Sequence, residues 1–355
     1  RDVVAAVSRA GGMGVLGAVT LTPEELEEEL SWIQDHVDGK PFGLDVIIPQ
    51  TLAGKGQAFD DEQLLGSIPE SHSQFVDGVM QRFGVDPAGA HEARQWQMQF
   101  AHNLQAEGAE QLLDVALRFP IKLIANALGV PPPLLLEKGK EHGIPVAALV
   151  GSREQALRQT SAGVDIIIAA GGEAGGHCSD VSTMVLVPEV VEAIDGQVPV
   201  LAAGGIVTGR QMAACMAMGA AGAWTGSVWL TTTESETTPV VRQKLIEAGS
   251  RDTIRSRSRT GKPSRQLRSP WTDAWEHAEL APLPMPLQSL LTEPALGQID
   301  KLSQGGHDGA RELATYWVGQ GVGLMNQETS VRNVMQEFQE DFLAAYERLN
   351  GMMEG

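Results

Sequence analysis

The sequence predicts an α/β fold: a (β/α)8 TIM barrel with a helical lid insertion and a small helical C-terminal subdomain. Three observations predict it. The first two-thirds of the 355-residue chain alternates short aliphatic runs with helical segments. Those runs lack polar alternation, as expected of parallel strands buried on both faces. Several helical segments run into a glycine just before the next strand, at Gly143, Gly163, Gly196 and Gly219, the helix-end-then-strand rhythm of βα units. A doubly wound open sheet is the rival, but no GxGxxG follows a first strand.

The elements follow in order. Residue 1 is Arg rather than Met and leads directly into a helix-like stretch, 2–10. Strands are predicted over 14–18, 42–48, 121–126, 146–150, 165–169, 198–203 and 223–226. Seven strands leave one of eight to be supplied, and it is expected upstream of Arg1. Helices are predicted over 23–34, 134–142, 154–162, 188–194 and 209–218. The first has Thr22 as N-cap and Pro23 in the first helical position, followed by glutamates, each suited to a helix start. Two regions break the rhythm. Residues 49–119 are too long for a βα loop and read as a helical, polar lid. From 231 to 319 the chain is rich in Pro, Arg and Thr and is expected to form an appended helical subdomain. The barrel is thus assigned to 1–230, and 320–355 to a closing helix centred on 327–349.

Composition narrows the function classes. Hydrophobic residues make up 43% of the chain and charged residues 20%, enough for a large core and incompatible with wholesale disorder. A formal net charge of −19 argues against a nucleic-acid partner, since the phosphate backbone would repel it. No run approaches 18 apolar residues and no basic-then-apolar leader is visible, so no membrane partner and a cytoplasmic location are expected. Cys178 and Cys215 fit neither a disulfide scaffold nor a zinc spacing. A homo-oligomer remains open.

The most informative stretch is AAGGEAGGHCSD, from Ala169 to Asp180. Glycines just after a buried strand let a flat ligand approach the backbone closely. His177 then projects beside that ligand as a candidate proton carrier near neutral pH; the alternative is a locally hydrogen-bonded histidine in a tight loop. The second stretch is PVLAAGGIVTG, from Pro199, followed by GAAGAWTGSVWL, from Gly219. It places Gly204, Gly205, Gly226 and Ser227 at the ends of the last two strands, where barrels bind phosphate through backbone N–H groups. Together the two stretches imply a phosphorylated, planar cofactor.

EAGGH, VPVLAAGGI, GAWTGS and the later YWVGQGVGL resemble the nitronate monooxygenase family, formerly called 2-nitropropane dioxygenases, which shares its barrel with FMN-dependent enoyl-acyl-carrier-protein reductases. The resemblance spans residues 1 to about 230 and resumes near Tyr316. It implies FMN as cofactor, Gly175 and Gly176 lining the flavin, His177 as the catalytic histidine, and Gly204, Gly205, Trp224, Thr225, Gly226 and Ser227 on the phosphate. Asp45, in FGLDV, stands where the family usually has Asn, and Ala170 replaces a common flavin-contacting Gln. Cys178 and Ser179 replace the usual basic residue and Gly after the histidine, and Ala147 and Ala148 occupy a strand where some members carry another histidine. The expected activity is oxidation of nitronates or related carbanion-forming substrates, with O2 as oxidant.

A basic cluster supports an alternative. Residues 251–268 hold seven of the 26 basic residues with one acid, and Arg257, Arg259 and Arg265 are candidate substrate contacts. Such a cluster would suit the phosphates of an acyl-CoA thioester, reduced or dehydrogenated at a C–C bond with NAD(P)H as a possible redox partner; the bland alternatives are a solvated loop or ion pairs to the acidic surface. His91 and His102 could share a helix face, but two histidines without a carboxylate are not a metal site, and no metal is expected. The segment from Trp96 to Phe100 is expected to line the lid or core, or to receive a hydrophobic substrate.

Overall fold

A computed structural model of the chain describes residues 1–48, 61–93 and 98–353. The strands are β1 (Gly14–Gly17), β2 (Phe42–Val46), β3 (Ile124–Asn126), β4 (Val146–Val150), β5 (Ile166–Ala170), β6 (Gly176–His177), β7 (Val200–Ala203), β8 (Gly222–Trp224), β9 (Thr253–Ser256) and β10 (Ser264–Leu267). Seven of them form one curled parallel sheet in the order β1-β2-β3-β4-β5-β7-β8. Register aligns Gly17 with Asp45, Asp45 with Ala125, Ala125 with Ala147 and Ala203 with Trp224. The interior is filled by small side chains, with Ala125, Ala147, Ala170 and Ala203 beside Leu123 and Ile168. Among the described residues β1 and β8 do not pair, and a cavity of about 510 Å³ lies between them, lined by Val4, Val15, Asp45, Ala223 and Trp224. The sheet is therefore a TIM-barrel wall of seven strands that curls without closing.

Helices start and stop where the local chemistry directs. Helix Pro23–His36 opens on a capping box between Thr22 and Glu25. Helix Pro133–His142 ends at Gly143 and helix Arg153–Ala162 at Gly163, both glycines left-handed, a conformation that costs glycine least. Helix Thr183–Ile194 begins earlier than the sequence predicts and carries Pro188 inside. Its start is anchored by Glu173, whose Oε2 accepts from both the Thr183 N–H and hydroxyl at 2.8 Å. No helix among the described residues is long and apolar enough to cross a membrane.

The two regions that break the βα rhythm meet in space. The part of 49–119 that is described forms helices Asp61–Gly66, Glu70–Arg82, Ala88–Ala93, Met98–Asn103 and Ala106–Ala116; residues 49–60, Trp96 and the side chain of His91 lie outside the described residues. Val76, Val79 and Met80 of this insertion share one core with Trp271, Trp275, Leu290, Leu291 and Ile299 from the later region. A lid and a separate appendage were expected; the molecule instead packs parts of both into a single helical cap. The later region is also not purely helical. β9 and β10 form an antiparallel hairpin, and β10 extends this small sheet to β6, pairing Ser264 with His177 and Arg265 with Gly176. TIRS and SRQL are identified as strands by their four-residue antiparallel register, Thr253 facing Leu267 through Ser256 facing Ser264. The closing helix, Val331–Met353, packs on helices Gly209–Ala217 and Asp2–Arg9.

Candidate active site

Loops leaving the C-terminal ends of β5, β7 and β8 surround a cavity of about 500 Å³. Ala170, Gly175, Gly176, His177, Gly204, Gly205, Trp224, Thr225, Gly226 and Ser227 all line it. Residues up to 57 positions apart are thereby brought together, because adjacent parallel strands deliver their following loops to the same rim. Gly204 and Gly205 are left-handed, with φ of +118° and +68°, and a Cβ on Gly204 would stand 2.4 Å from Thr183 Oγ1. At Gly175 the constraint is close approach: a Cβ there would lie 2.8 Å from backbone atoms of Val318 and Gly319. That contact is locked by the Gly319 N–H donating to Ser227 Oγ at 2.8 Å and the Gln320 N–H donating to Glu173 O at 2.9 Å. Glu173 is thus a brace between the glycine loop, helix Thr183–Ile194 and the segment at 319–320.

The rim meets the demands of a phosphate and a flat ring. The amides of Gly205 and Gly226 have no acceptor among the described residues, leaving two donors at the cavity edge where an anion can take them. A Cβ on Gly176 or Gly226 would meet no protein atom within 4 Å, so the backbone there borders open space.

His177 is held at the junction of barrel and cap. β10 pairs with its backbone, and its Nε2 lies 2.8 Å from Thr260 Oγ1. Burial, reinforced by the nearby Lys262 ammonium, lowers its pKa to about 4. The imidazole is therefore neutral at physiological pH, with a ring nitrogen available to a proton but a lower basicity than a free imidazole.

Asp45 is the one predicted cofactor contact that does not line this cavity. It faces the gap between β1 and β8, its Oδ1 is buried without a partner, and burial raises its carboxyl to about 7. The three arginines singled out as substrate contacts also lie elsewhere, each engaged within the fold. Arg257 donates to Gly261 O at 2.8 Å. Arg259 is buried, makes a two-pronged pair with Glu293 at 2.8 and 2.7 Å, and stacks 3.8 Å over the Trp317 ring. Arg265 donates to Gly172 O at 2.8 Å and to Thr253 Oγ1 at 3.1 Å. The basic run in the sequence is largely the framework of the hairpin and cap.

Sequence reasoning missed the cap side of the cavity: Thr260, Ser289, Glu293, Tyr316 and Trp317 line it together with Phe100. Thr260 lay inside the basic run and Trp317 inside YWVGQGVGL, but only the fold brings them to His177. Phe100 does reach the cavity. The Cys178 thiol is pushed up by burial, which disfavours a reactive thiolate, and Cys215 is buried in the core. Among the described residues no group of three or more His, Cys, Asp or Glu side chains is placed to hold a metal ion.

Residues 1–341 match the family described as nitronate monooxygenase. A Mycobacterium tuberculosis protein named as a monooxygenase, Rv1533, is 50% identical over 357 residues, covering 100% of this chain and 94% of its relative. A Bacillus subtilis protein named as a nitronate monooxygenase is 29% identical over 351 residues, covering 96% and 91%. Among solved structures, a nitroalkane oxidase from Streptomyces ansochromogenes superposes with a TM-score of 0.79 at 27% identity, over 98% of this chain and 93% of that one. FabK from Thermotoga maritima gives 0.71 at 27% identity, over 99% and 91%. With the glycine-lined cavity, the histidine at its rim and the family match over nearly the whole length, the chain belongs to the nitronate monooxygenase family and is an oxidoreductase.

Proposed function

We propose that the chain is an FMN-dependent oxidoreductase that oxidises nitronates or related carbanion-forming substrates, with His177 as the proton carrier. The observation that carries this reading is a single cavity in which a neutral, half-buried histidine stands beside a side-chain-free backbone rim with two unengaged amides. Gly204, Gly205, Gly226 and Ser227 would hold the FMN phosphate, and Ala170, Gly175 and Gly176 would leave room for the ring. FMN, when bound, supplies a two-electron acceptor that no side chain offers.

The chain's own groups do the rest. Thr260 fixes the imidazole of His177 through the contact at Nε2, so the ring needs no reorganisation when it takes the α-proton of the neutral nitroalkane, the conjugate acid of the nitronate. Phe100, Tyr316 and Trp317 supply apolar wall that keeps water from the reacting carbon, and the Arg259–Glu293 pair sets the Trp317 ring in place. The names of the B. subtilis and Streptomyces relatives, a nitronate monooxygenase and a nitroalkane oxidase, support the nitronate class. The thioester alternative is less favoured, because Arg257, Arg259 and Arg265 are engaged internally.

Reconstitution tests the cofactor half. The purified chain should take up FMN and not riboflavin, and Gly204→Val should abolish uptake. Equal uptake of riboflavin would remove the phosphate site from the reading.

A further inference from the structure

A second cavity, of about 420 Å³, borders the first and shares Leu149, Ala170 and His177 with it as common wall. It lies over the ends of β3, β4 and β5, beneath the hairpin of β9 and β10. Its lining differs in kind from that of its neighbour: Arg158, Arg255 and Lys262 all reach it, against one carboxylate, Asp180. In a chain of net charge −19 this is a local reversal of sign. Among the described residues none of these three cations has a carboxylate within ion-pair distance, unlike Arg259, which holds Glu293 through Nε and Nη2. Arg255 donates only to the Cys178 carbonyl, over 3.4 Å. Lys262 belongs to the same turn as Thr260, whose hydroxyl accepts the Lys262 N–H at 3.3 Å and contacts His177. One turn thus fixes the imidazole and sets an ammonium beside it.

We infer that this cavity is a binding site for the pyrophosphate of a phosphorylated ligand whose reactive end passes His177 into the neighbouring cavity. Guanidinium and ammonium groups that lack carboxylate partners in a concave site are the donor set a phosphate anion uses. The shared wall gives the reason for the site: a ligand anchored here reaches the reacting centre without displacing the phosphate that Gly204 and Gly226 would hold. Two sources carry the required chemistry, a dinucleotide reductant and a coenzyme A thioester. The inference rests on the proposed function only in making His177 the place of reaction; the anion site stands on its own lining.

The test is calorimetric titration of the FMN-loaded protein with inorganic pyrophosphate, so that the cofactor's phosphate site is already filled. Saturable binding is expected, weakened about tenfold by Arg255→Gln or Lys262→Gln, and unchanged by Arg118→Gln, a surface arginine paired with Glu27. His177→Ala should retain pyrophosphate binding while losing nitroalkane turnover, which separates failure of the anion site from failure of the catalytic assignment. Displacement of pyrophosphate by NADPH alone assigns the site to a reductant, and displacement by coenzyme A alone to a thioester substrate. Absence of binding, binding indifferent to both substitutions, or displacement by neither compound overturns the inference.

Discussion

The two walls of the candidate active-site cavity are built in opposite ways. On the barrel side the wall is backbone: glycines and alanines at the ends of β5, β7 and β8, each set by its own βα unit and brought to a common rim by parallel pairing. On the cap side it is side chain, with Thr260, Ser289, Glu293, Tyr316 and Trp317 supplied by segments packed across long sequence separations onto the insertion helices. A backbone wall suits a ligand shared by a whole family, since amides and missing side chains recognise phosphate and flat rings. A side-chain wall can be altered residue by residue and suits a substrate. The contrast predicts that damage to the barrel side costs cofactor, whereas damage to the cap side costs rate, selectivity or stability with the cofactor retained.

His177 sits where the walls join, and its removal should give the largest effect on turnover. His177→Ala is expected to retain FMN and lose turnover by about a hundredfold to ten-thousandfold, read as kcat with the nitroalkane on flavin-saturated enzyme; unchanged kcat would remove it from the chemistry. On the barrel side, Gly175→Val drives a side chain into Val318 and Gly319 and should release flavin, seen as a colourless preparation. Retained colour with normal affinity would break the contrast.

On the cap side, Arg259→Met leaves Glu293 as an uncompensated, half-buried charge. The expected cost is about 3 to 5 kcal/mol of stability in urea unfolding, with the flavin still bound before the transition. A smaller effect is expected from pH. Because the folded His177 has its pKa lowered to about 4 from an ordinary 6.5, the unfolded chain binds more protons in that window. Its contribution to stability is present above about 6.5 and is lost as the pH falls toward 4. His177→Gln should flatten that limb of the stability profile. The smallest change is expected from Phe100→Ala, which should raise KM for a bulky nitronate more than for a small one.

The same contrast explains what the sequence made legible. The glycine runs and His177 could be read because each lies within a few residues of the strand that positions it, and strand periodicity locates the rim. The capping box at Thr22 and the left-handed Gly143 and Gly163 are equally local. Asp45 could not be placed from sequence: its strand was correct, but whether it faced the cofactor or the edge of the sheet depends on how far the sheet curls. The internal engagement of Arg257, Arg259 and Arg265 was not legible, because composition counts charges without their partners. Glu293, which neutralises Arg259, lies 34 positions away, and the carbonyl that accepts from Arg265 lies 93 away. The cap was read as two appendages because its common core joins Val79 to Leu290 and Trp271, a pairing that no local pattern announces.

The claim at the centre is that a neutral His177 beside bound FMN serves nitronate oxidation. Anaerobic stopped-flow mixing of the FMN-loaded protein with a primary nitronate and, separately, with its parent nitroalkane, followed at the visible flavin band, tests it most directly. Rapid bleaching by both that is reversed by O2, with the nitroalkane reaction alone slowed by orders of magnitude in His177→Ala because only the nitroalkane must still lose its α-proton, is the expected result. Flavin that stays oxidised with nitronate, or a nitroalkane reaction equally fast without the histidine, would contradict it.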